Sequence, residues 1–86
     1  MTVEQAQDTL ALTLLSRPDC PLCEEFAVAL MDWRANRGSI TVDVVDIGRD
    51  AALEARYGWI IPVLLAGDRQ LCSGHFDAGA LRDLMP

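Results

Sequence analysis

Residues 10–23 read LALTLLSRPDCPLC, an apolar run followed by a polar break and a Cys-x-x-Cys pair. The apolar run, residues 10–15, is too short for its period to distinguish a helix from a strand. Its length and the break after it favour a strand buried on both faces. Pro21 follows the first cysteine, and proline is favoured at the first helical position because its missing N–H would have no partner there. The stretch therefore predicts a strand that passes through a short loop into a helix.

The rest of the chain continues this alternation of strands and helices. A helix is predicted over 21–36, with Gly38 as its stop signal, and a strand over 40–47. A short helix, 51–57, begins after Asp50 and ends at Gly58. Two strands, 63–66 and 69–72, are joined by a turn at Gly67-Asp68, and Asp77 caps a last helix with Leu81, Leu84 and Met85 on one face. The first two strands should pair in parallel through a right-handed crossover, whereas the hairpin is antiparallel. The predicted fold is α/β, β-α-β-α-β-β-α, with a mixed four-stranded sheet flanked by helices. One domain, residues 10–86, follows an N-terminal tail, residues 1–9.

The chain is acidic, with a formal net charge of −6 from thirteen acidic and seven basic residues. Such a surface repels phosphate backbones, so nucleic acid is not an expected partner. Residues 1–8 have no basic segment leading into an apolar one, and no apolar run approaches the roughly 20 residues that span a bilayer. We therefore expect a cytoplasmic protein with no membrane partner. In a reducing compartment, three cysteines indicate catalysis or metal binding better than structural disulfides.

The cysteine pair has the spacing of a redox site. If Pro21 starts the helix, Cys20 is its N-cap, and its sulfur lies beside free backbone N–H groups at the positive end of the helix dipole. These groups favour the thiolate and are expected to lower the pKa of Cys20. Cys23, inside the first turn, is better shielded. The pattern predicts Cys20 as the nucleophile and Cys23 as the resolving cysteine.

A metal site is the alternative interpretation of the same cysteines. Cys20, Cys23, Cys72 and His75 form a C-x-x-C and C-x-x-H set with the ligand types of structural zinc. A cysteine at the helix cap leaves little room for four tetrahedral ligands, and the fourth strand is separated from the first helix. We therefore favour redox chemistry, with Cys72 packed in the fold and His75 in a loop without a catalytic role.

Three segments carry a resemblance to a known family: SRPDCPLCE (16–24), VDI (45–47) and YGWIIPVL (57–64). In this order and spacing they resemble the glutaredoxin-like branch of the thioredoxin-fold superfamily. The likeness is greatest to small bacterial glutaredoxin-like proteins with a C-x-L-C-E motif, and it covers the chain from Leu10 onward.

The resemblance implies a strand order of 2-1-3-4 and a cis peptide bond between Ile61 and Pro62. It also implies a substrate-binding surface, in which the backbone of Ile61 pairs with a peptide or glutathione and Arg17 meets a glutathione carboxylate. Leu22 stands where glutaredoxins usually carry an aromatic residue, and Ser73-Gly74 stands where they carry a Gly-Gly turn. The implied substrate-binding residues are therefore Arg17, Leu22, Ile61, Pro62, Ser73 and Gly74.

Together these observations predict a glutaredoxin-like thiol–disulfide oxidoreductase that works through a Cys20–Cys23 disulfide. The expected partner is a disulfide-containing protein or a glutathione mixed disulfide. We expect a monomer with no bound metal or cofactor; glutathione is a candidate co-substrate, and a reductase is the alternative reductant. The alternatives are a non-catalytic binding module, including one that holds metal through Cys20, Cys23, Cys72 and His75, and a dimer bridged by an iron–sulfur cluster.

Overall fold

The computed structural model describes residues 10–35, 37 and 39–84, which contain four strands, two α-helices and two 3-10 helices. Along the chain they are β1 (Leu10–Ser16), α1 (Pro21–Arg34), β2 (Ile40–Asp46), a first 3-10 helix (Ile47–Arg49), α2 (Ala51–Tyr57), β3 (Val63–Ala66), β4 (Arg69–Ser73) and a second 3-10 helix (Ala78–Leu84). The predicted N-terminal tail, residues 1–9, lies outside the described residues.

The strands form one mixed sheet in the order β2-β1-β3-β4. β1 pairs with β2 in parallel, and both β1–β3 and β3–β4 are antiparallel. The α/β fold class and the 2-1-3-4 strand order are thus confirmed. Gly67 begins the hairpin turn with φ +62°, a conformation that glycine adopts without the usual steric cost.

β1 is a central strand with a hydrophobic core on each face. Leu12 and Leu14 lie in the larger core, whereas Leu15 lies in the smaller one. The larger core contains Leu12, Leu14, Phe26, Leu30, Ile40, Leu64 and Leu81, and the smaller core contains Leu15, Ile47, Tyr57, Val63 and Leu65. Because α1 supplies side chains to one core and α2 to the other, the two helices cover opposite faces of the sheet. Burial on both faces explains why β1 reads as a nearly continuous apolar run.

Both α-helices begin at the predicted caps. The Oδ1 atom of Asp50 accepts hydrogen bonds from the backbone N–H groups of Ala52 and Leu53, at 3.0 and 3.1 Å. α1 ends at Arg34, two residues before the predicted end, and the predicted stop signal Gly38 lies outside the described residues. α1 has 14 residues, and within the described part of the chain no helix is long and apolar enough to cross a membrane.

The predicted last helix is a 3-10 helix and not an α-helix. Asp77 caps it as predicted, since its Oδ1 accepts from the N–H of Gly79 at 2.9 Å, but the Ala80 N–H bonds to the Asp77 carbonyl only three residues back. A glycine in the first turn weakens the α-helix, and short segments adopt the tighter winding readily. Leu81 still anchors the segment in the larger core, whereas Met85 lies outside the described residues.

Candidate active site

Cys20 is the N-cap of α1, as predicted. Its backbone is extended, with φ −119° and ψ 98°, and Pro21 occupies the start of the helix. The Cys20 Sγ atom accepts a hydrogen bond from the backbone N–H of Cys23 at 3.1 Å. The cysteine sulfur thus takes the place of the oxygen that usually caps a helix, at the positive end of the helix dipole.

The two cysteines differ in their access to solvent. Their sulfur atoms lie at disulfide distance, and their Cα atoms are 5.2 Å apart. Cys23 is only 4% exposed, whereas Cys20 is half-buried and open to solvent on one side. Of the two cysteines, Cys20 is therefore the one that solvent reaches more readily.

Asp19 shapes the loop that precedes the cysteine pair. It has φ +57°, in the left-handed region that aspartate and asparagine tolerate better than most residues. This conformation turns the chain between the end of β1 and the start of α1. The Pro18-Asp19 dipeptide is the signal for this turn in the sequence.

The loop before β3 lies at the same end of the sheet as the cysteine loop. Val63 pairs with Leu15, so Pro62 lies one step further along, across from the last residue of β1. The Ile61–Pro62 peptide bond is cis, and the Pro62 carbonyl accepts a hydrogen bond from the backbone N–H of Gly74 at 2.9 Å. Of the predicted substrate-binding residues, Ile61, Pro62, Ser73 and Gly74 are therefore gathered beside the loop that holds Cys20.

A cleft of about 230 Å³ runs between α1 and the segment after β4. Leu22 and Gly74, two of the implied substrate-binding residues, both line this cleft. The full lining is Leu22, Glu25, Phe26, Ala29, Gly74, His75 and Phe76. Leu22 lies between the two cysteines in sequence, but neither cysteine lines the cleft. No sequence signal pointed to Phe76, whose ring packs against Phe26 with centroids 5.7 Å apart.

Arg17 has a partner that the sequence did not predict. Its Nη2 atom forms a charged hydrogen bond with Oε1 of Glu54, on α2. The implied role of Arg17 was contact with a glutathione carboxylate, and in this structure the protein itself supplies the carboxylate. The two residues are 37 positions apart, so local spacing carried no signal for the pair.

The model of the Glutaredoxin-like domain (DUF836) matches residues 11–85. The chain belongs to this family. No curated protein matches the sequence of this glutaredoxin-like domain.

Solved structures are similar to this glutaredoxin-like domain over most of its length. A crystal structure of an X. campestris protein is 40% identical, covers 87% of this chain and 99% of that chain, and has a TM-score of 0.67. A solution structure of a Nitrosomonas europaea protein is 25% identical, covers 91% and 93%, and has a TM-score of 0.79. The Drosophila germline-specific thioredoxin Deadhead, 24% identical over 96% and 84% with a TM-score of 0.56, shares the thioredoxin-like fold.

The alternative zinc ligands of the glutaredoxin-like domain do not come together. In the described residues, which include Cys20, Cys23, Cys72 and His75, no group of three or more His, Cys, Asp or Glu side chains is close enough to hold a metal ion. Cys72 packs against the larger core from β4, and His75 lies in the loop after it. The packing interpretation of Cys72 is therefore confirmed.

The Cys72 thiol is expected to react slowly with alkylating reagents. Burial raises its pKa above 9.0, the Asp77 backbone hydrogen bond opposes this shift, and the Asp77 charge adds to it. A raised pKa leaves little of the Cys72 thiol as thiolate at pH 8. It also means that the free energy of unfolding falls as the pH rises above the pKa of the same thiol in the unfolded chain. In the reduced protein at pH 8, mass spectrometry should show iodoacetamide labelling Cys20 first and Cys72 more slowly than in the urea-unfolded chain. Equal Cys72 labelling in both states would contradict this.

Proposed function

We propose that this glutaredoxin-like domain is a thiol–disulfide oxidoreductase with a dithiol mechanism. The observation that carries the proposal is the asymmetry of the pair: Cys20 is accessible at a helix N-terminus, and Cys23 is buried beside it at disulfide distance. A reactive thiol needs a group that stabilises its negative charge, and the backbone of the first helical turn supplies one.

The first step is attack by the Cys20 thiolate on one sulfur of a substrate disulfide. A bond forms between Cys20 and that sulfur, the substrate S–S bond breaks, and the other substrate sulfur leaves as a thiolate that takes a proton from water. No electrons are lost in total, since one disulfide is exchanged for a mixed disulfide. Cys20 is partly exposed at the N-cap of α1, and this exposure gives a substrate access to it.

The second step releases the reduced substrate. Cys23 loses its proton and attacks the Cys20 sulfur, which forms the Cys20–Cys23 disulfide and expels the remaining substrate sulfur as a thiolate. Two electrons have then passed from the cysteine pair to the substrate. Two thiols from glutathione, or a dithiol reductase, return them and restore the reduced pair. Such a cycle suits a reducing compartment, and we propose the cytoplasm.

We assign substrate contact to the residues around the pair. The backbone of Ile61 borders the end of β1 next to buried Pro62, and Leu22 and Gly74 line the cleft between α1 and the segment after β4. Because the Gly74 N–H is already bonded to the Pro62 carbonyl, Gly74 holds the loop in place and is not a free donor for substrate. Ser73 is the last residue of β4 and is exposed to solvent.

The mechanism predicts a trapped intermediate in a Cys23→Ser variant. All proteins in this experiment also carry Cys72→Ser, so that only the active-site pair can react. After reduction and mixing with oxidised glutathione, Cys23→Ser should hold one glutathione as a stable mixed disulfide by mass spectrometry. The protein with both active-site cysteines should instead pass to its internal disulfide.

Two outcomes of the trapping experiment would count against the mechanism. An adduct on a Cys20→Ser variant would show that Cys20 is not the attacking group. An adduct that persists equally long with Cys23 present would show that Cys23 does not resolve it. In turnover, Cys23→Ser should keep its activity only when glutathione is the reductant.

A further inference from the structure

The ion pair between Arg17 and Glu54 joins the cysteine loop to α2. Arg17 is the one basic residue in residues 16–25, where Asp19, Glu24 and Glu25 are acidic. Its guanidinium is therefore the single positively charged side chain of this segment that could attract an anionic substrate to Cys20. The contact with Glu54 cancels that attraction.

The fold makes space for this pair. At Gly58, which ends α2, a Cβ atom would lie 2.6 Å from both the backbone carbonyl oxygen and Oε1 of Glu54, and 3.5 Å from Nη2 of Arg17. A larger residue at this position would therefore press on the α2 backbone as well as on the Glu54 carboxylate. Gly58 has φ −56°, so it is not required here for a left-handed backbone, and the close approach is its evident reason. Gly58 thus leaves room beside the ion pair as well as beside the α2 backbone.

The surface next to the ion pair is apolar. Trp59 and Ile60 follow Gly58 directly, and the Trp59 side chain is 91% exposed, so it neither packs in the core nor lines the cleft. Ile60 is also exposed, and the next two residues are the Ile61–Pro62 segment beside the cysteine loop. This side of the site therefore presents apolar side chains and a neutralised cation.

We propose that Glu54 is a specificity-determining residue that makes the site discriminate against anionic disulfides. The inference rests on the proposed oxidoreductase function and names its substrate class: disulfides without negative charge beside their sulfurs, in preference to glutathione mixed disulfides. With Glu54 present, an anionic substrate meets a paired Arg17 and unpaired acidic residues. Without Glu54, Arg17 is free to bind a substrate carboxylate.

The test compares three small disulfides of different charge with reduced wild-type and Glu54→Gln protein. Oxidised glutathione is anionic, bis(2-hydroxyethyl) disulfide is neutral and cystamine is cationic. The rate of Cys20–Cys23 disulfide formation is measured in a single turnover by quenching and mass spectrometry. Each rate is divided by the rate of dithiothreitol with the same disulfide, which removes differences in intrinsic reactivity.

Glu54→Gln should raise the normalised rate with oxidised glutathione about threefold, the size expected of one exposed charge pair. The rate with the neutral disulfide should stay unchanged. The matched control is Asp68→Asn, which removes the same charge from the hairpin at the opposite end of β3 and should have no effect. In an Arg17→Gln background, Glu54→Gln should not raise the rate with oxidised glutathione, because there is no Arg17 guanidinium to release.

An equal gain with all three disulfides, or an equal gain from Asp68→Asn, would overturn the role of Glu54. So would a gain that persists without Arg17. If wild-type protein forms its disulfide with none of the three substrates, the proposed oxidoreductase function fails instead. The two failures are therefore distinguishable in one set of measurements.

Discussion

Replacing Cys20 with serine is expected to lower the rate of disulfide reduction by at least about a thousandfold, to the uncatalysed rate. A serine hydroxyl at a helix N-terminus stays protonated at neutral pH and does not attack sulfur, whereas a thiolate does. The measurement is the dithiothreitol-driven reduction of a protein disulfide. Serine caps helices well, so α1 should keep its N-cap and the fold should stay intact by circular dichroism.

Cys72→Ser is the control for Cys20→Ser. It removes the third cysteine of the chain, which lies outside the Cys20–Cys23 pair and packs against the larger core. Its activity should stay within about twofold of wild type, since Cys72 takes no part in the two-step exchange. Full activity without Cys20, or equal loss in both variants, would exclude the proposed mechanism.

Of the substitutions proposed for this protein, Phe26→Ala should lower the free energy of unfolding most, by about 3–5 kcal/mol. Phe26 is 2% exposed on α1 and packs edge-to-face on Phe76, with an angle of 84° between the rings. The substitution leaves a cavity where the Phe26 ring lines the cleft between α1 and the segment after β4. Because small domains have only about 5–15 kcal/mol in total, much of the stability is lost. Urea unfolding of the oxidised protein, followed by circular dichroism, measures it.

Val28→Ala is the matched control on the same helix. Val28 is 63% exposed, so its truncation should change the free energy of unfolding by no more than about 0.5 kcal/mol. If Phe26→Ala does not fold, Phe26→Leu keeps most of the volume and should cost less than about 1.5 kcal/mol. Equal losses at positions 26 and 28 would contradict the packing of α1 described above.

The start of α1 could be predicted from the sequence because it depends on neighbouring residues. The N-cap interaction links Cys20 to the N–H of Cys23, with Pro21 between them at the first helical position. The cap at Asp50 is equally local, reaching Ala52 and Leu53. Interactions over two or three residues leave a fixed spacing in the sequence, and that spacing was sufficient to predict where both α-helices begin.

The last helix shows where local reasoning failed. An α-helix and a 3-10 helix bury the same apolar side chains over seven residues and differ only in which carbonyl each N–H reaches. Gly79 weakens the α-helical alternative, but the choice also depends on how Leu81 meets the larger core. Apolar spacing alone therefore did not decide between them.

The α/β fold class, the N-cap position of Cys20 and the shielded position of Cys23 could all be predicted from the sequence, because periodicity and helix capping act between near neighbours. The surroundings of that pair depend instead on long-range packing. It placed Glu54 against Arg17 from 37 residues away and closed the cleft between Leu22 and Gly74. Such contacts follow from the packing of α2 and β4 around the central strands. No spacing in the sequence records them, and they are the contacts on which we expect substrate choice to depend.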